Sequence, residues 1–119
     1  MWGLMSTSTE HYKLEEFACK CGCGTNLARI ELLYLCELVR ELNGGKPLPV
    51  SSGTRCAKYN AKVGGAPKSK HVLGLAADLP VDDPRYIYKR LEEIFIYSHG
   101  LGKYTNFIHV DIRDTKARW

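Results

Sequence analysis

The sequence predicts a single α+β domain, and three observations carry that prediction. A chain of 119 residues is long enough for one hydrophobic core and too short for two. One long stretch has apolar residues at helical spacing, and the last third has them at the period of a strand. The segments run helix, strand, helix, strand, helix and then two strands, the order of a small, mostly antiparallel sheet with flanking helices.

Leu27, Ile30, Leu33, Leu35, Leu38, Val39 and Leu42 recur at helical spacing, with Asn26 as N-cap and Asn43-Gly44-Gly45 as the stop, so a helix is expected from Leu27 to Leu42. Leu48-Pro49-Val50-Ser51 reads as a short strand, Cys56 to Val63 as a second helix stopped by Gly64-Gly65, and Gly65 to His71 as a loop. Leu75 to Leu79 is largely apolar and followed by proline, which suits a buried strand carrying Asp78 near its end. Pro84 sits where the first turn of a helix tolerates it, and Ile87, Leu91, Ile94 and Phe95 give that helix a buried stripe to about Tyr97. Gly100 to Tyr104 and Phe107 to Ile112 complete the sheet as strands joined by a tight turn at Thr105-Asn106.

Composition excludes several classes. Hydrophobic residues at 45% and charged residues at 25% are those of an ordinary globular protein. No apolar run approaches the ~20 residues of a membrane-spanning helix, and the start, MWGLMSTSTEHYK, lacks a basic segment followed by an apolar stretch. Neither a membrane span nor a secretion signal is expected. Seventeen basic residues against 13 acidic ones give a charge of +4. That balance favours a polyanionic partner, such as nucleic acid, a teichoic-acid-bearing wall or a carboxylate-rich substrate, but scattered charges describe a solvated surface better. Basic and aromatic residues form no stripe, which argues against a nucleic-acid module.

The chemistry is expected at His71, Asp78 and His109, because nitrogen and carboxylate donors at strand ends suit a catalytic zinc with one position left for water. The spacing from His71 to Asp78 is a weak signal by itself. His109 is a stronger one: it alternates with Phe107 and Asp111 on one strand face while Ile108, Val110 and Ile112 fill the other, like the wall of a polar cleft.

These residues sit within a larger pattern. Ser52-Gly53-Thr54-Arg55, Asn60, Val63-Gly64-Gly65, Ser69-Lys70-His71, Gly74-Leu75-Ala76-Ala77-Asp78 and Phe107-Ile108-His109-Val110-Asp111 together resemble the zinc D-Ala-D-Ala carboxypeptidase family, in particular its short single-domain members. The resemblance spans about Phe17 to Trp119 and implies a hedgehog/D-Ala-D-Ala peptidase-like domain over 17–119, with 1–16 as an N-terminal extension. It implies zinc held by His71, Asp78 and His109, peptidoglycan peptides as substrate, Arg55 on a substrate carboxylate or the oxyanion, and Ser69 as a substrate hydrogen-bonding residue. Arg55 also reads as a surface ion-pair partner and Ser69 as a turn residue.

Two departures stand out. Many members have tyrosine or phenylalanine in the Ser-Gly-x-Arg motif where this chain has Thr54. Many also place an acid three residues before the last zinc-binding histidine, and here that position is Asn106, which cannot act as a base. Asp111, on the face of His109, is the expected replacement as catalytic base, against a reading as an orienting carboxylate or an ion-pair partner of Arg113. His99 ranks behind it, as a turn residue.

Five cysteines is an odd count, with Cys19, Cys21 and Cys23 clustered, which suggests a reducing compartment. With Cys56 these three allow a structural zinc site, although the spacing lacks the usual Cys-x2-Cys, or a disulfide to Cys56, or buried free thiols. Cys36 falls beside the apolar stripe of the long helix and reads as core. The function expected is that of a monomeric zinc peptidase cutting peptidoglycan stem peptides or cross-bridges. It would be made in bacterial cytoplasm and act at the wall, as in a phage lysin or virion-associated protein. The alternative is a non-catalytic zinc domain that binds wall peptides or builds a virion.

Overall fold

The computed structural model describes residues 7–119. After a 3₁₀ turn at Leu14–Phe17 the elements run α1 (Ile30–Leu42), α2 (Ala57–Lys62), β1 (Ala76–Leu79), α3 (Pro84–Ile94), β2 (Gly100–Lys103), β3 (Ile108–Asp111) and β4 (Ala117–Arg118). The strands make one sheet in the order β1-β3-β2-β4. Both partners of β3 are antiparallel to it, while β4 lies parallel to β2, so the α+β class is the predicted one and the sheet is mixed. With two residues, β4 is too short to show alternation in sequence. It is fixed by Trp119, whose N–H donates to Leu101 and whose carbonyl accepts from Lys103.

Alternation along the strands separates core from site. Ala77, Leu79, Leu101, Ile108 and Val110 join Leu32, Leu33, Cys36 and Val39 of α1 and Ile87 and Leu91 of α3 in the core. The intervening residues, Asp78, His109 and Asp111, therefore share the opposite face. The register sets Asp78 directly across from His109 and Ala76 across from Asp111. On the other flank of β3, Gly102 faces His109 and Gly100 faces Asp111. Both glycines are required by close approach: a Cβ at Gly100 would stand 2.1 Å from the Asp111 carboxylate, and one at Gly102 would stand 2.4 Å from the Trp119 indole.

The structure departs from the sequence reading at several elements. Helix α1 starts at Ile30 rather than Leu27, with Arg29 as its N-cap. Asn26 is engaged elsewhere, its amide donating to the Leu14 carbonyl and its oxygen accepting from the Ala28 N–H, and Leu27 is exposed. Leu48–Ser51 is no strand of the sheet. Pro49 has no N–H to give, and pairing is confined to a bridge in which Ser51 donates to the Asp78 carbonyl and Asp78 to that of Ser52. Helix α3 stops at Ile94, which is exposed, not part of a buried stripe. The Arg118 guanidinium donates to the carbonyls of Phe95, Ser98 and His99 in the segment after the helix. Within the residues counted as an extension, Tyr12 is buried and donates to the Leu48 carbonyl at 2.7 Å. Residues 1–6 of that extension lie outside the described residues.

Candidate metal centre

Three short segments deliver three donor atoms to one point on the polar face of the sheet. His71 comes from the turn before β1, Asp78 from β1 and His109 from β3. Asp78 Oδ1 stands 3.1 Å from His71 Nε2 and 3.2 Å from His109 Nδ1. All three side chains are buried, and one donor atom from each lies within 4.8 Å of the others.

The outer nitrogen of each histidine decides what the inner one offers. His71 Nδ1 lies 2.7 Å from the Gly53 carbonyl, which only accepts, so Nδ1 carries the proton and Nε2 faces Asp78 with its lone pair. His109 Nε2 lies 2.8 Å from Asp111 Oδ2, another acceptor, so Nδ1 is left to face Asp78. Two lone pairs and a carboxylate oxygen thus converge with nothing positive between them, an arrangement that calls for a cation. The donor set of two imidazole nitrogens and one carboxylate oxygen at these separations fits zinc. Burial pulls the His109 imidazole down, but the carboxylates of Asp111 and Asp78 outweigh it and hold it above its ordinary value. Burial pushes Asp78 up, and the neighbouring His109 and His71 imidazoles prevail, leaving it at about 2.

Arg55 fixes the far side of Asp78. Its Nη2 donates to Asp78 Oδ2 at 3.2 Å, its Nε to Ser52 Oγ and its Nη1 to Asn60 Oδ1. Ser69 Oγ accepts the His71 N–H at 3.2 Å. Both residues line a cleft of about 600 Å³ with His71, Asp78 and His109.

Asp111 is placed differently from the expectation that it faces the reacting water. Its carboxylate is fully buried behind His109 and is not part of the cleft lining. Besides His109 it accepts from Arg113 Nε at 2.8 Å, Arg113 Nη2 at 2.7 Å, the Arg113 N–H at 3.2 Å and the Gly100 N–H at 3.1 Å. Burial opposes ionisation, but His109 and Arg113 hold the carboxyl well below the usual carboxylate range. Asn106 is exposed in the β2–β3 turn and stands outside the cleft lining. His99 is a turn residue at φ 69°, its ring stacked on Phe95.

The sequence reading missed two cleft residues in their site roles. Arg113 extends the alternation of His109 and Asp111 by one step, and that period was available as a signal. Trp119 had none, because its place depends on β4; its ring centroid lies 4.8 Å from that of His109, and the Arg113 guanidinium lies over it.

Comparison with known proteins gives the same direction. A stretch of 47 residues is 40% identical to a protein named zinc D-Ala-D-Ala carboxypeptidase from Streptomyces albus G, covering 40% of this chain and 18% of that protein. The chain therefore matches under a fifth of that relative's length. The profile of the family described as Peptidase M15 matches residues 10–111, a range that takes in α1 to β3 and every donor of the cluster, and the chain belongs to the Peptidase M15 family.

Proposed function

We propose that this chain is a zinc-dependent peptidase that hydrolyses peptidoglycan stem peptides near a free carboxylate. The observation that carries the reading is the set of inward-facing lone pairs of His71 and His109 around Asp78, at the floor of a cleft lined by Arg55, Lys68, Lys70 and Arg113. Zinc held by these three atoms leaves a coordination position open and supplies Lewis-acid polarisation of a carbonyl and a lowered pKa for water.

The remaining roles follow from the side chains. Asp78 is the single carboxylate lining the cleft among the described residues, so the four basic residues give it a positive field that draws in an anionic peptide end. Arg55 uses three of its five N–H donors on Ser52, Asn60 and Asp78, which fixes the fork and leaves two for a substrate oxygen. The Ser69 hydroxyl accepts from His71 and keeps its own proton to donate. Tyr104 and Phe107, stacked at 4.3 Å, and Trp119 add aromatic surface to the cleft lining. Asp111 acts as a positioning residue that sets the tautomer of His109.

Digestion of purified stem peptides, followed by mass spectrometry with and without chelator, tests this. Removal of one terminal residue identifies a carboxypeptidase and internal fragments an endopeptidase. Amidating the peptide's terminal carboxylate should slow cleavage if the basic cleft holds it. A second reading, a non-catalytic wall-peptide-binding domain, is favoured by one fact: among the described residues no carboxylate other than Asp78 lines the cleft to serve as base. Zinc-dependent peptide binding with no product in the same digest would select it.

A further inference from the structure

The four cysteines first left open as metal ligands, disulfide partners or buried thiols meet at one point. Cys19, Cys21 and Cys23 come from the loop after the 3₁₀ turn, and Cys56 from the N-cap of α2. Their sulfurs all lie within 4.8 Å of one another. Two of the separations are 3.5 Å (Cys19 to Cys21) and 3.8 Å (Cys21 to Cys56). A tetrahedron of thiolates around zinc, with a Zn–S bond of ~2.3 Å, has edges of about 3.8 Å. A disulfide would draw sulfurs together in pairs at ~2.05 Å.

The backbone supports the same geometry. Gly22 and Gly24 hold φ of 85° and 83°, the left-handed conformation that lets a Cys-Gly-Cys-Gly run curl, and Cys19 N–H closes the loop on the Thr25 carbonyl at 2.8 Å. The Cys56 N–H points at Cys19 Sγ, 3.4 Å away, and the Tyr59 N–H at Cys56 Sγ, 3.3 Å away. Such N–H donors stabilise sulfur that carries negative charge. Cys21 and Cys23 are exposed, so hydrophobic burial gives no reason for their place. Cys36, buried alone in the core, does not take part.

We propose that Cys19, Cys21, Cys23 and Cys56 form a second, structural zinc site, separate from the His71, Asp78 and His109 cluster. Four protein ligands leave no open position, so its work is to clip the 19–23 loop onto the chain beside Arg55. The site stands whether or not the histidine cluster is catalytic.

The test uses the full chain, purified under reducing conditions, loaded with zinc and desalted. Elemental analysis should find one zinc fewer in Cys21→Ser/Cys23→Ser than in the unaltered protein, and cobalt substitution should give a thiolate charge-transfer band that the same variant lacks and His71→Ala keeps. If the cysteine variant does not fold, alkylation of the unaltered protein decides. Cys21 and Cys23, although exposed, should resist alkylation until chelator is added and then react with Cys19 and Cys56. Immediate reaction of Cys21 and Cys23 in the zinc-loaded protein, a disulfide among the four, or equal zinc in variant and parent overturns the proposal.

Discussion

Replacing Asp111 by asparagine separates a carboxylate that orients His109 from one that takes a proton from the reacting water. The carboxylate accepts five hydrogen bonds, and every partner is a donor. An asparagine oxygen placed at Oδ1 keeps those from the Gly100 N–H, the Arg113 N–H and Arg113 Nε, but its amide then meets Arg113 Nη2 and His109 Nε2 donor to donor. The opposite orientation loses three bonds instead of two. In the better one His109 must accept at Nε2, which moves its proton to Nδ1, facing Asp78 Oδ1. The metal loses a ligand lone pair. Outer hydrogen-bond partners of this kind are worth ~10–100-fold in metal affinity. Losing the carboxylate's charge beside a half-buried Arg113 costs about 2–4 kcal/mol, or roughly 10 °C in melting temperature for a chain of this size. Zinc affinity by chelator competition and thermal unfolding with and without zinc read both numbers. If Asp111→Asn binds zinc as tightly as the parent, melts at the same temperature and only loses turnover, Asp111 acts on the reaction and the orienting role is wrong.

Other substitutions test neighbouring parts of the argument. His71→Ala should lower zinc affinity of the cluster by more than 100-fold, since one of three donors is gone, and isothermal titration of zinc into apo protein measures it. Arg55→Lys should keep zinc yet lower kcat/KM by ~10²-fold, because an ammonium cannot span Ser52, Asn60 and Asp78 together; steady-state kinetics check this. Gly100→Ala should reproduce the zinc loss of Asp111→Asn without replacing a polar side chain, as its Cβ would stand 2.1 Å from that carboxylate and displace it, and chelator competition again reports it. Glu37 governs acid behaviour at the start of the domain. Burial pushes its carboxyl up, but the Thr9 hydroxyl and the His11 N–H hold it below its ordinary value. A depressed carboxylate stabilises the fold above its unfolded pKa and loses that contribution as pH falls through its lowered folded pKa, so the melting temperatures of the parent and Glu37→Gln should converge as pH falls below the ordinary glutamate range.

Much of the site was legible because it rides on period-two alternation. His109 and Asp111 share a face opposite Ile108 and Val110, and the same rule applied to Ala76 through Leu79 places Asp78 across from them. What Asp111 does was not legible, since it depends on Arg113 and Gly100 closing over the carboxylate. Asn26 was misread as a helix cap because its competing partners, Leu14 and Thr54, are distant in sequence. The Arg118 contacts hold the residues after α3 through tertiary hydrogen bonds that no local window contains, whereas Pro49, which has no N–H, was a local sign against a strand at Leu48–Ser51. The cysteine cluster was legible in membership, Cys19, Cys21 and Cys23 as a run with Cys56 as a candidate fourth, but not in outcome, because only the docking of α2 sets the sulfur separations.

The pairing of β1 with β3 has a consequence for how the chain avoids folding wrongly. A slip of two residues leaves every apolar side chain of these strands on the core face, so burial discriminates poorly between the native alignment and its neighbours. The polar face discriminates well. In one slipped alignment Asp78 would stand opposite Asp111, two buried like charges in direct apposition, and in the other opposite Phe107, leaving its carboxylate without His109. Among the correct and displaced sheets, the native alignment is the one that puts Asp78 and His109 face to face. A cation captured there would act during refolding as a proofreader of strand alignment, drawing molecules out of displaced sheets, so zinc should raise the yield of correctly folded chains as well as their final stability.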